Sequence, residues 1–391
     1  MKPNPMQKSF DRRNFLKLSV AGAAGSILAS AGSVHASVTN NASSDGIIHR
    51  TLGRTGMRVP VVNLGVMRVD NPRIVTLALN NGMTLLDTAH GYQNGRNEEM
   101  LGELLKDRPR DSFYIGTKIR GETEEQLLNQ FEISMNRLQL DYVDILYFHS
   151  PSAQQTLDKE LLRVMSGIKA SGRAKFLGVS THSDEPAVIR AVAESNVYDV
   201  VLTSYNFKMD NFTDLKQAID EAAGAGIGII AMKTMAGVFW DKERNDPINT
   251  KAALKYALQN ENIHTSIPGV TAFHELEDNF EINRDLTLTP EEIKDLRLDE
   301  TTAGLFCLGC EQCIGQCPGE LPIPDLMRSY MYAYGYKDLA LARDTMDMAG
   351  CDPDACNDCG LCSVKCVQGF DVAEKIKDIG RLRNVPSDFL V

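Results

Sequence analysis

The sequence predicts an α/β fold: a (β/α)8 barrel of the TIM type followed by a small, helical, cysteine-rich domain. Three observations carry this reading. Eight short apolar runs between residues 61 and 267 alternate with segments of helical length and spacing, the count that a closed parallel barrel requires. Ionisable residues stand at or just past the ends of three consecutive runs, where a parallel barrel gathers its strand ends into one mouth. All nine cysteines fall between Cys307 and Cys366, a segregation that scattered disulfides of a secreted protein would not produce.

Average composition conceals this organisation. In a chain of 391 residues, 43% hydrophobic and 24% charged residues are ordinary globular values and exclude a disordered or fibrous protein. With 41 Lys+Arg against 52 Asp+Glu, a net charge of −11 and no basic block, no nucleic-acid partner is expected.

Residues 1–36 read as an export signal. Lys2, Lys8, Arg12, Arg13 and Lys17 form a basic opening, an apolar run of small residues follows from Leu18 to about Ala29, and Val34-His35-Ala36 offers a cleavage site. Within it, Asp11-Arg12-Arg13-Asn14-Phe15-Leu16-Lys17 resembles the twin-arginine motif, which implies handling by the twin-arginine translocase and a periplasmic or otherwise exported protein. The run is too short and too rich in Gly and Ala to span a bilayer, and no stable membrane span is expected elsewhere. Residues 37–49 are assigned to a linker, small and polar through most of their length.

The barrel is expected over residues 50–300. Its strands are placed at 61–64, 84–86, 113–116, 143–147, 176–179, 200–202, 228–231 and 264–267. Helices are placed at 122–138, 156–171, 186–194 and 212–225 among others. An open doubly wound sheet is the competing architecture, but no G-x-G-x-x-G follows the first strand. Asp87 and Tyr92 follow the second strand, Lys118 closes the third and His149 the fourth. Their types suit proton transfer. Tyr92 serves as general acid–base, a nearby Lys118 ammonium lowers the phenol's pKa, Asp87 neutralises and positions Lys118, and His149 orients a carbonyl or hydroxyl oxygen. Such a set interconverts a carbonyl and an alcohol when a hydride carrier lies beside it.

The stretch Asp87-Thr88-Ala89-x-x-Tyr92-x-Asn94-Gly95-x-x-Glu98 brings residues 51–300 close to the aldo-keto reductases, whose Asp, Tyr, Lys and His tetrad corresponds to Asp87, Tyr92, Lys118 and His149. Gly178-Val179-Ser180, Tyr205-Asn206, Ile230-Ala231-Met232-Lys233 and Ile267-Pro268-Gly269 extend the resemblance past strands five to eight. It implies an extended nicotinamide dinucleotide, NADP or NAD, held by Ser180, Asn206, Lys233, Gly269, Asp278 and Asn279. The sequence departs from the family pattern at Thr181 and Leu202, where Asn and Gln usually hold the nicotinamide amide. It departs again at Gly269, Val270 and Glu275, in place of the Lys, Ser and Arg that grip a 2′-phosphate.

Residues 301–391 carry two runs of one spacing. They are Cys307-x2-Cys310-x2-Cys313-x3-Cys317-Pro318 and Cys356-x2-Cys359-x2-Cys362-x3-Cys366. This is the bacterial ferredoxin pattern, in which the fourth cysteine of each run ligates the other cluster. It implies two [4Fe-4S] clusters, one on Cys307, Cys310, Cys313 and Cys366, the other on Cys356, Cys359, Cys362 and Cys317. Zinc is the alternative occupant of paired C-x2-C steps, although it needs neither the third step nor the Cys-Pro ending. Cys351 is read as an incidental thiol, and residues 323–349 as a helical insertion packed against the barrel.

The whole chain resembles the aldo-keto reductases with an appended two-cluster ferredoxin-like tail. The function expected is an exported iron–sulfur oxidoreductase that acts on a carbonyl or alcohol of a small substrate, with sugar-like compounds among the candidates. It would exchange electrons with an external one-electron redox partner. The alternative is an electron-transfer or redox-sensing protein whose barrel is catalytically silent.

Overall fold

The computed structural model describes residues 41–42, 46–297 except 210 and 242, and 306–386 except 308, 352–355, 357–358, 360–361 and 368. The proposed export signal, residues 1–36, lies outside them. The expected linker ends earlier than residue 49. Strands β1 (Asn41–Ala42), β2 (Ile48–Thr51) and β3 (Arg58–Pro60) form an antiparallel sheet, and the buried Ile47 already belongs to the core. The apolar Ile47-Ile48 pair drives this shift, because it has a core to enter.

Eight parallel strands follow in the order expected of a barrel: β4 (Leu64–Gly65), β5 (Leu85–Asp87), β6 (Tyr114–Ile119), β7 (Val143–His149), β8 (Ala174–Thr181), β9 (Val200–Ser204), β10 (Gly228–Met232) and β11 (Thr265–Ser266). Each pairs with its sequence neighbour. Parallel bridges Val62↔Ser266 and Gly65↔Gly269 join the first strand to the last and close the ring. Helices α1 (Pro72–Asn80), α2 (Arg96–Leu105), α3 (Glu124–Leu138), α4 (Lys159–Ala170), α5 (Glu185–Ser195), α6 (Phe212–Gly224), α7 (Thr250–Leu258) and α8 (Phe273–Ile282) pack around it. Several begin at the caps their sequence offers: Asn71 accepts from the Arg73 amide, Thr123 from Gln126, and Asp158 from Glu160 and Leu161.

Two apolar layers result. The larger lies between strands and helices, with Leu86, Ile115, Leu146 and Val179 facing Leu101, Phe131, Val164 and Ile189. The smaller fills the barrel, where Leu85, Ile145, Tyr147, Val200 and Ile230 meet Leu52, Met57 and Val59, so the N-terminal sheet plugs the closed end. The Tyr147 ring occupies the axis because Gly116 and Gly178 flank it. A Cβ on either would come within 2.8 Å and 2.5 Å of the ring.

The C-terminal domain has a core of its own, built by α9 (Ile323–Tyr330), α10 (Leu339–Met348) and α11 (Val372–Gly380), with a π-helical turn at Met331–Gly335. Leu326, Met327, Leu341, Met346, Ile376 and Ile379 meet there, and Cys307, Cys313, Cys317, Cys351, Cys356 and Cys366 pack against them. The domain sits on the open end of the barrel. Arg68 pairs with Asp338 at 3.3 Å and donates to the Tyr336 carbonyl, Asn94 donates to Asp344, and Arg244 donates to the Gly335 carbonyl. None of the described helices is long and apolar enough to cross a membrane.

Candidate active site at the barrel mouth

A cavity of about 830 Å³ opens at the C-terminal ends of the strands. Asp87, Tyr92, Lys118 and His149 all line it, as do Arg328, Tyr332, Tyr336 and Thr345 from the C-terminal domain. The insertion expected to pack on the barrel therefore also roofs its mouth. The volume falls in the range of sites that hold a cofactor or a small substrate.

Register places the tetrad. Asp87 pairs with Gly116 across β5 and β6, Lys118 with Tyr147, and His149 with Ser180, so the three stand on adjacent strands, each two residues further along its strand towards the mouth than the last. Lys118 and Asp87 are 1% and 3% exposed, which makes their mutual neutralisation obligatory. The Lys118 ammonium donates to Asp87 Oδ1 and, at 2.7 Å, to the Thr88 carbonyl.

Tyr92 is held by the signature residues around it. It opens a tight turn, Tyr92–Gly95, in which Gln93 and Asn94 take φ of 51° and 54°, and Gly95 takes 91°. The Arg137 guanidinium lies where a Cβ on Gly95 would stand, so only glycine fits. Arg137 in turn donates to the His90 carbonyl and pairs with the buried Glu98, which accepts from Thr117 at 2.6 Å. Thr88 donates to Asn97 at 2.6 Å, and Asn97 donates to the Val66 carbonyl. Asn97 and Arg137 are supports that the sequence reading did not single out; their contacts join segments far apart in the chain.

The electrostatics differ from expectation at one point. The Lys118 ammonium lies 4.8 Å from the Tyr92 ring centre, but its hydrogen bonds go to Asp87 and Thr88. Removal from water, reinforced by the Asp87 charge, raises the phenol's pKa instead of lowering it. Tyr92 is thus a protonated donor at neutral pH. His149 meets the Tyr92 ring edge-on at 6.2 Å, and burial together with Lys118, Arg120 and Arg328 holds it well below the usual imidazole range. A neutral imidazole suits a hydrogen bond to a substrate oxygen.

The residues expected to hold a dinucleotide divide. Ser180, Lys233 and Gly269 line the cavity, and the buried Ser180 Oγ has no partner among the described residues, as a group awaiting a ligand amide would. Burial and the Arg328 charge lower Lys233 to about 7. Asn206 instead binds its own loop, donating to the Lys233 carbonyl and accepting from the Lys208 amide. Asp278 faces Lys251 at 3.8 Å, and the buried Asn279 lies outside the lining. Glu275 lines the cavity and caps α8 by accepting from the Thr271 and Ala272 amides.

The described cysteines of the two runs act on one another electrostatically. Cys307 and Cys313 are raised, Cys313 to about 11, by burial first and then by neighbouring thiols that include Cys310 and Cys366. Cys356 is raised by burial and by Cys362, Cys359 and Cys317. In each set one of the interacting thiols belongs to the other run. Among the described residues no three His, Cys, Asp or Glu side chains are gathered to hold a single metal ion. The donor set fits a pair of four-iron clusters, each needing four soft thiolates spread around a larger body. The first run is seated on the barrel rim: the Asp184 amide donates to the Gly309 carbonyl at 3.1 Å, and the Gly309 amide donates to Cys307 Sγ at 3.3 Å.

Residues 63–252 match the aldo/keto reductase family, and residues 306–371 match the 4Fe-4S dicluster domain. The chain carries an aldo/keto reductase domain and a 4Fe-4S dicluster domain. Among solved structures, the holo form of the aldo-keto reductase AKR11C1 from Bacillus halodurans resembles it with a TM-score of 0.57 and 20% identity, over 66% of this chain and 98% of that one. The thermostable aldo-keto reductase Tm1743, in complex with the inhibitor epalrestat, reaches a TM-score of 0.54 and 22% identity over 63% and 98% of the two chains. At these identities the likeness is one of fold, and its extent corresponds to the barrel.

Proposed function

We propose that the protein is an iron–sulfur oxidoreductase that interconverts a carbonyl and an alcohol on a small substrate at the barrel mouth. One observation carries the reading. Asp87, Tyr92, Lys118 and His149 share a cavity with Arg328, Tyr332 and Tyr336 of the dicluster domain, so the domain that carries the cysteine ligands roofs the site of substrate chemistry. In the reducing direction the substrate carbon gains a hydride and its oxygen gains the Tyr92 phenol proton, while His149 holds that oxygen. The buried Asp87–Lys118 pair gives the phenolate left behind a nearby cation.

Ser180, Lys233 and Gly269 would hold a nicotinamide dinucleotide, NAD or NADP, whose chemistry is hydride transfer. Cys307, Cys310, Cys313 and Cys366, with Cys356, Cys359, Cys362 and Cys317, would hold two [4Fe-4S] clusters, whose chemistry is one-electron exchange with an external redox partner. The twin-arginine motif at Arg12-Arg13 supports export to the periplasm with these groups already in place.

Tyr92→Phe tests the assignment. It removes the phenol proton and little else, and should lower turnover by about 10²–10⁴ while leaving the cluster absorbance intact. Undiminished turnover would put the acid–base role elsewhere. Absence of any dinucleotide-dependent turnover in the wild-type protein would favour the redox-sensing alternative, with a silent barrel.

A further inference from the structure

The wall of the cavity formed by the loops after β8 and β10 and by α9 is basic in an acidic protein. Arg328 enters it from the dicluster domain, with its side chain 14% exposed; it donates to Asp325 at 2.8 Å and to Ser183 Oγ at 3.2 Å. His182 lies beside it, and its buried Nδ1 has no hydrogen-bond partner among the described residues. Lys233 stands on the same wall. The three groups crowd one another: Arg328 and Lys233 both depress His182, and Arg328 depresses Lys233. Of the described carboxylates, Asp325 is bound to Arg328. Glu185 acts on Lys233, but burial raises it to about 7, so much of its charge is lost near neutrality. Glu311 and the Cys307 thiol also act on this wall, and burial keeps His182 neutral, so Arg328 is its standing cation. The guanidinium uses two donors on Asp325 and Ser183, and a bound carboxylate can take others of its fork.

The position of this wall distinguishes a substrate anion from a cofactor phosphate. Arg328, His182 and His149 line the same cavity, and Arg328 is tied to Ser183, the residue after His182. In the proposed reaction His149 holds the reacting oxygen. An anion on Arg328 and His182 therefore shares the cavity with the reacting carbon. Arg328 presents a planar fork suited to a carboxylate.

Building on the proposed function, we infer that the substrate is a carboxylate-bearing carbonyl or alcohol, a hydroxy acid or a sugar acid, whose carboxylate is held by Arg328 of the dicluster domain with His182. The substrate then bridges the two domains, and discrimination against neutral analogues resides in a residue outside the barrel.

Calorimetric titration of the full-length, cluster-loaded protein at fixed ionic strength tests this with two matched pairs: D-glucuronate against D-glucose, and lactate against lactamide. At least one acid should bind about tenfold or more tightly than its neutral partner. Arg328→Gln should abolish that preference, and Arg328→Lys should retain part of it. Unchanged cluster absorbance and melting temperature show that the variants are folded. Failure of both acids to bind, equal binding of acid and neutral partner, or an unchanged preference in Arg328→Gln would overturn the inference. So would a loss of NAD or NADP affinity in Arg328→Gln with acid binding intact, since the anion would then be the cofactor's. The readout is binding, so it is independent of Tyr92: a selective acid site in a protein whose Tyr92→Phe variant still turns over would retain the site and refute the acid–base assignment.

Discussion

Asp87→Asn leaves the shape of the tetrad in place and strips the buried ammonium of its counter-charge. Lys118 and Asp87 side chains are 1% and 4% exposed, and without the carboxylate the ammonium retains the Thr88 carbonyl at 2.7 Å and a weaker amide oxygen. Breaking a buried pair from one side costs about 3–5 kcal/mol, because the surviving charge has no water to return to. For a domain of this size each kcal/mol moves the melting temperature by about 2–4 °C, so a fall of roughly 6–20 °C is expected. Lys118→Met introduced on top of Asp87→Asn removes the stranded charge and should restore at least about 1 kcal/mol, making the two changes strongly non-additive. The assay is thermal unfolding followed by far-ultraviolet circular dichroism, with cluster absorbance read on the same samples so that loss of iron is not mistaken for loss of the barrel. If Asp87→Asn melts within 2 °C of the wild type, or the double variant is as unstable as the sum of the singles, the pair does not carry the electrostatic load assigned to it.

Further outcomes follow from the same geometry. Burial holds His264 down to about 4 while its Nδ1 accepts from the Ile229 amide at 2.9 Å. It stays neutral in the fold and takes up a proton on unfolding below about 6.5, so stability is full above that pH and declines towards pH 4, by about 3 kcal/mol from this residue. Denaturant midpoints measured across that range, with His264→Gln flattening the decline, check it; an unchanged slope would refute it. For the cysteines, Cys307→Ser with Cys366→Ser should remove one cluster's iron, whereas Cys356→Ser with Cys366→Ser should disturb both. Iron analysis and electron paramagnetic resonance separate these outcomes, and the reverse pattern would defeat the crossed assignment. Glu275 presents a carboxylate where a 2′-phosphate grip is expected, so Glu275→Lys should favour NADP over NAD by about tenfold in direct binding; an unchanged ratio would place the adenosine elsewhere.

The eight strands were legible because short apolar runs and helical spacing are local signals, and three of the four tetrad residues were legible because they stand at or near strand ends that a parallel barrel must bring together. Cysteine spacing carried its own meaning for the same reason: neighbours in sequence share one metal body. What lay beyond the sequence depends on partners hundreds of residues apart. No local pattern says that residues 323–349 roof the barrel mouth, that Arg328 enters the cavity lined by His149 and His182, or that Ile48 pairs into a sheet instead of a linker. The direction of Tyr92's pKa was also a tertiary matter. Residue types put a cation near the phenol, but burial and the Asp87 charge outweigh it, and both are set by the packed fold. Sequence by itself determined the barrel, the tetrad on its strand ends and the spacing of the cysteines; the folded structure decided which further groups join them, which are dry, and which are already paired.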